Sequence, residues 1–241
     1  MTRNRIFAFG LSWLLLPLPS SLSWNQKEVE GAQKTAFASC WDENFKNYAS
    51  RTIQGAVFAS GDGRAKAFVR VEAQALGKDS DGDQACQNRS ALFIAKSGAE
   101  HFDSVFEANG ENGEQGNGIQ LIDWSPDSSL LVADLITWRY FSEGWSHTIL
   151  TYSTRTGAIK TKSLQTLFLA ELHNDCGLEP DLKGFLRDGR VVVGVTPFND
   201  EGGPPCESKE SLWAIDISNF EVAPIIRTEK IKHNGRFKAP N

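Results

Sequence analysis

From residue 51 onward, apolar and polar side chains alternate in short runs broken by glycine, proline and acidic turn residues. A period of two is the signature of a strand with one face covered and one face wet. "TIQGAVFASGDGRAKAFVRVEAQAL", Thr52 to Leu76, reads as two such strands joined at Gly61-Asp62-Gly63, where glycine admits the positive φ of a tight turn. "ALFIAKSG" and "DSVFEA" follow as strands. "NGENGEQGNG", Asn109 to Gly118, has nothing to bury and reads as a mobile polar loop. Only "SLQTLFLAELHND" breaks the pattern: Leu164, Leu167, Phe168 and Leu172 share one helical face, which predicts a single helix. Residues 24–50 form a polar lead-in of weak helical character, with Trp41, Phe45 and Tyr48 along one side.

The strand pattern repeats. "LIDWSPDSSLLVADLITW" is followed by an aromatic loop, "RYFSEGWS", and then by "HTILTYSTRTGAIKTKS". Sixty-one residues downstream, Phe185, Asp188 and Val191 stand where Trp124, Asp127 and Leu130 stood, and "ESLWAIDISNF" then answers "HTILTYSTRTG". A weaker copy lies upstream around "VFASGDGRAKAFV". Each unit reads as strand, acidic tight turn, apolar strand, variable loop, strand, turn, strand, and one four-stranded sheet per repeat is the plan of a propeller blade. The fold class expected is therefore mainly β, in blade-like antiparallel units that form a partial or irregular β-propeller. A β-sandwich of look-alike hairpins is the alternative.

"WSPDSSLLVA" resembles the W-S-P-D-G-x-x-L signature of TolB-type β-propeller repeats, relatives of the WD-repeat blades, and "FLRDGRVVVG" keeps its Asp-Gly turn without the Trp. The resemblance covers two turns with their flanking strands, about a third of the mature chain. It implies that Asp127 and Asp188 are turn formers and carries no activity with it. Three units are fewer than the four blades of the smallest propellers, so the resemblance implies an open or degenerate ring. An open ring leaves sheet edges to be covered, a role open to residues 24–50.

The ends set the compartment. Arg3 and Arg5 precede an apolar run from Ile6 to about Leu18, with Pro17 and Pro19 at its end and small residues at Ser21 and Ser23. That layout predicts a signal peptide over 1–23, because the run is shorter than the roughly 20 residues that span a bilayer. No later stretch is long and apolar enough to span, so the mature chain is expected to be an exported protein, periplasmic or extracellular, without a membrane span. Removing Arg3 and Arg5 leaves 23 basic residues against 30 acidic ones, a net charge of −7 that speaks against a nucleic-acid partner. The single β domain is placed at 51–230, in about three repeats, and the basic segment 231–241 is read as a disordered tail. Four cysteines in an exported chain predict two disulfides. They allow three pairings; Cys40–Cys86 and Cys176–Cys206 are favoured because each brackets one strand–turn–strand segment. No two cysteines have the close spacing of a structural zinc site.

Familiar catalytic motifs are absent: there is no G-x-S-x-G elbow, H-E-x-x-H helix or phosphate-binding loop. "DSDGDQACQNRS" resembles the start of a calcium loop, but Gln84 and Ser90 occupy the places of the required Gly and Glu, so it is read as a solvated turn. Glu171, His173 and Asp175 alternate in "ELHNDC" and are read as a polar helix terminus rather than a metal site. Asn88-Arg89-Ser90 matches a glycosylation sequon. No cofactor is expected. The stretch that offers chemistry is "TWRYFSEGWSH": Trp138, Tyr140, Glu143, Trp145 and His147 combine flat apolar rings with a carboxylate and an imidazole, a set suited to a sugar or a peptide. The same aromatics could instead pack as core between sheets. The function expected is a non-enzymatic binding or scaffold domain that recognises a protein or glycan partner through its loops. The alternative is a hydrolase with a spatially assembled Asp/Glu/His site.

Overall fold

A computed structural model describes residues 35–41, 46–78, 82, 84–99, 101–110, 115–140, 144–172, 176–199, 206, 209–225, 230–233 and 236–238. The signal peptide expected over 1–23 lies outside these residues, as do Phe45, Glu143, His173 and Asp175. After a short strand β1 (Thr35–Ala36) the chain builds three antiparallel sheets in succession. The first holds β2 (Arg51–Gln54), β3 (Phe58–Ala59), β4 (Ala65–Lys78), β5 (Gln84–Lys96) and β6 (Asp103–Asn109), with β2 and β3 both paired to β4. The second runs β7 (Gln115–Trp124), β8 (Leu130–Arg139), β9 (Trp145–Ser153) and β10 (Ile159–Ser163). Helix α1 (Leu164–Leu172) then leads to β11 (Gly177–Phe185), β12 (Val191–Phe198), β13 (Ser211–Asp216) and β14 (Glu221–Pro224) of the third sheet. The mainly-β class expected from the alternation is what the chain forms, and the helix falls where the apolar periodicity put it, with Leu164 and Phe168 buried.

The three acidic turns share one geometry. The turns at Asp62, Asp127 and Asp188 follow one plan: each carboxylate accepts the backbone N–H two residues on, from Arg64, Ser129 and Arg190, at 3.0–3.1 Å. The residue after each aspartate is left-handed, with φ 70° at Gly63, 60° at Ser128 and 90° at Gly189. Asp and Ser suit such turns because their side chains replace a missing backbone partner. Ser128 stands where its counterparts are glycine, and its Oγ accepts the Asp62 N–H at 3.2 Å, so the first two turns touch.

Successive sheets pack face to face. Along β8 alternate side chains point to opposite faces: Leu131 and Ala133 join Val69, Val71, Leu92 and Ile94 of the first sheet, whereas Val132 joins Phe185, Val193 and Ile215 of the third. Trp124, the aromatic of the repeat signature, is 1% exposed and donates its indole N–H to the Phe58 carbonyl at 3.4 Å, stitching the second sheet to the first.

Three local expectations are overturned. In the lead-in, the described residues contain no helix: β1 pairs with β7, and Trp41 and Tyr48 form an isolated antiparallel bridge. The first strand of the second sheet would otherwise be an edge with unpaired backbone groups, which gives even a polar segment reason to extend. Residues 231–241 are not a disordered tail throughout, because β15 (Ile231–His233) and β16 (Arg236–Lys238) form a hairpin that pairs to β11 at Phe185–Lys232. The second half of the glycine-rich loop is strand: Gly116, Asn117 and Gly118 are buried in β7. A Cβ at Gly116 would fall inside the Trp138 indole, and one at Gly118 inside the Phe37 ring, so these glycines are pits that admit aromatic rings rather than links of a flexible loop. The cysteines pair Cys40–Cys86 and Cys176–Cys206.

Gly116→Ala is expected to destabilise the fold by about 1–3 kcal/mol through overpacking. Because the clash is with one ring, the loss should shrink when Trp138→Ala is already present. Urea unfolding of the two single variants and the double variant measures both effects; equal losses in the two backgrounds would sink the assignment.

Candidate functional site

The aromatic stretch closes the β8–β9 ladder, where Trp138 and Trp145 are cross-strand partners. Gly116 of β7 is opposite Trp138, which makes one row of Gly116, Trp138 and Trp145. The next row on the same face is Gly118, Ile136 and His147, and the third is Gln120, Asp134 and Ile149. The rings of Trp138 and Trp145 lie 5.6 Å apart and tilted by 36°. Behind them Trp138 meets Phe37 at 5.8 Å and Tyr140 at 6.4 Å, and Tyr140 meets Trp41 at 5.2 Å, with interplanar angles of 58°, 89° and 62°. Rings set edge to face in this way pack on one another and do not offer a common platform. Trp145 is the exception, 55% exposed at the end of the row.

His147, two residues on from Trp145, donates Nδ1–H to Asp134 Oδ2 at 2.7 Å. The two belong to neighbouring rows and meet on the diagonal. Its backbone N–H is held by Gln165 Oε1 of α1 at 3.0 Å, so the helix fixes the strand that carries the imidazole. Asp134 is only 3% exposed, and among the described residues its Oδ1 has no hydrogen-bond partner. Burial pushes the Asp134 carboxyl above the usual carboxylate range, against the opposing hydrogen bond and charge of His147. Burial also opposes the charge on His147, but the hydrogen bond and charge of Asp134, with Glu179 and Asp181 of β11 behind them, hold the imidazolium above the ordinary histidine range. Chemically the pair is an imidazole whose tautomer is set by a buried carboxylate and whose Nε2 has no partner among the described residues.

Tyr140 plays a different part. Its hydroxyl reaches Asn88 Oδ1, and Asn88 Nδ2 donates to the Ala38 carbonyl at 2.6 Å, so the ring is locked to the segment after β1 beside the Cys40–Cys86 disulfide. Burial pushes the Tyr140 phenol up to about 12. Asn88 is fully buried with both ends of its amide engaged, so in the folded protein the sequon is a structural hydrogen-bonding device and not an exposed acceptor.

Of the five residues singled out from the sequence, Trp138, Trp145 and His147 meet on one face, Tyr140 supports them from behind, and Glu143 lies outside the described residues. Reading the sequence missed Asp134, Gly116 and Phe37. Asp134 had a signal: a lone carboxylate between Val132 and Ile136 in a strand otherwise fit for burial on both faces. Among the described residues there is no cluster of side chains able to hold a metal. No helix among them is long and apolar enough to cross a membrane. Two disulfides indicate an oxidising, exported environment.

The raised pKa of His147 makes stability depend on pH. Its contribution is complete below the unfolded value of about 6.5 and is lost as pH rises through the higher folded value. Urea midpoints should therefore fall between pH 6 and pH 9 in the wild type, and fall less in His147→Gln; identical slopes in the two proteins would show that the pair is not linked to folding. No protein-family model matches the chain, and no curated protein matches it.

Proposed function

We propose that the chain is an exported, non-enzymatic binding or scaffold domain, periplasmic or extracellular, built from TolB-type blade-like repeats, and that it recognises a protein or glycan partner at the β8–β9 end of its second sheet. One observation carries this reading. Trp145 presents more than half of its surface to solvent while Trp138 fixes its orientation, and Trp138 is itself wedged over Gly116. An exposed indole on a rigid sheet loses little entropy on binding, which is why Trp dominates interface energetics. The repeat supports the scaffold half of the reading, because its three acidic turns hold the framework and leave the variable loops free to recognise.

A hydrolase is the second reading, and the Asp134–His147 pair favours it, since a carboxylate-oriented imidazole is the general-base half of a triad. Among the described residues, however, no hydroxyl or thiol is hydrogen-bonded to its Nε2.

Peptide and glycan panels on the full mature chain test the first reading. Trp145→Ala should weaken any specific binding by roughly tenfold or more, the cost of removing a Trp hot spot, while thermal unfolding stays near that of the wild type. A ligand held equally by the variant would place recognition elsewhere. Hydrolysis of an ester or peptide library that disappears in His147→Ala would favour the second reading.

A further inference from the structure

Trp145 and His147 lie two residues apart on one face of β9, and one side chain grips the backbone at both. Gln165 of α1 accepts the His147 N–H through Oε1 at 3.0 Å, and its Nε2 donates to the Trp145 carbonyl at 3.5 Å. Asp134 holds the imidazole itself at 2.7 Å. The start of β9, which carries the open indole, is therefore fastened by two side chains from neighbouring elements, and one fastening contains a group that titrates.

Asp134 makes that fastening conditional. Its side chain is 5% exposed, its partners are His147 and the Thr148 backbone, and its Oδ1 accepts no hydrogen bond among the described residues. With His147 protonated the two charges cancel. Without that proton a buried carboxylate stands uncompensated with one oxygen bare, an arrangement that burial penalises heavily. The imidazole keeps 16% of its side-chain surface exposed, so its proton has a route to water. The charged groups around His147 are Asp134 on β8, Lys162 on β10, one row along opposite Ile149, and Glu179 and Asp181 on β11, which favour the imidazolium. Helix α1 turns Gln165 toward it and carries its single charged side chain, Glu171, in the last turn. Imidazole is the side chain whose ordinary pKa lies near neutrality.

Resting on the binding reading above, we propose that the Asp134–His147 pair is a proton switch for the Trp145 end: the protonated imidazole keeps the start of β9 clamped to Asp134 and α1 with the indole held ready for a partner, and loss of the proton releases the clamp. Binding at Trp145 is strongest where the ion pair exists and falls as pH rises through the titration of His147. An exported protein meets the pH of its surroundings, and the switch ties recognition to that pH.

The test needs no partner molecule. NMR of the isotope-labelled full mature chain follows the His147 Cε1–H, the Trp145 indole N–H and the Gln165 side-chain amide from about pH 5 to about pH 9. In the wild type all three signals should shift with one midpoint, and the indole should gain mobility above it. In His147→Gln the Trp145 shift should be lost. In Gln165→Ala His147 should still titrate while Trp145 no longer follows. Thermal unfolding shows which variants are folded, and either one decides. The switch is overturned if His147 does not titrate in this range, if Trp145 stays flat while His147 titrates, or if Trp145 still titrates in His147→Gln. It is overturned equally if Trp145 follows His147 unchanged in Gln165→Ala, since the ring would then sense only the field of the charge. Each of these results leaves the binding reading standing, because that reading is decided by the peptide and glycan panels with Trp145→Ala.

Discussion

The second sheet is covered on both faces, and the rest of the structure answers to that constraint. Its strands pack against the first sheet through Leu131, Ala133, Leu150 and Tyr152 and against the third through Ile122, Val132 and Ile149. A sheet buried on both faces has no wet side, so polar groups within it are costly unless they find partners in place, and Asp134 Oδ1 is the one buried side-chain atom among the described residues that does not. Ser90 and Asn117 bond to one another across the first interface, Asn88 holds the Ala38 carbonyl, and Asp134 holds His147 at the second. The Ser90–Asn117 and Asn88–Ala38 contacts fix the first sheet against the second more specifically than aliphatic packing, which tolerates sliding, while Asp134–His147 fixes β8 against β9 within the second sheet.

The candidate site arises where that burial ends. At the β8–β9 end the apolar residues are aromatic, with Trp138 and Tyr140 half-buried and Trp145 exposed. Two glycines in β7 and the segment after β1, pinned through Cys40 and Asn88, give two of the rings a seat, and the last ring has none. The open indole is thus the edge of a packed aromatic cluster, rigid because its neighbours are held by a disulfide and a buried amide. Recognition and stability meet in the same few residues, so a site variant must be checked for folding before its binding is interpreted.

The alternation of side chains and the Asp turns determined a great deal by themselves. Both are local: a period of two specifies a strand whatever lies above it, and an Asp carboxylate bonds a backbone N–H two residues away without outside help. The strand-rich class, the turns at Asp62, Asp127 and Asp188, and helix α1 were therefore legible. The favoured cysteine pairs are the ones formed, although only Cys176–Cys206 closes around a single hairpin, β11–β12, while Cys40–Cys86 encloses β2, β3 and β4. What the sequence could not disclose depended on contacts between residues far apart in the chain. Gly116 and Gly118 read as a loop because the rings that need their missing side chains, Trp138 and Phe37, arrive from other segments. The C-terminal Ile231–His233 read as a tail because its pairing partner, Phe185, is set by sheet order and not by local composition. Asp134 looked like an ordinary strand residue until the register of β8 against β9 set it diagonally across from His147. Local propensity and turn chemistry act over a few residues and leave their mark in the chain. Register, edge pairing and the meeting of an imidazole with a buried carboxylate are set by the packing of whole sheets, and only the tertiary structure decided them.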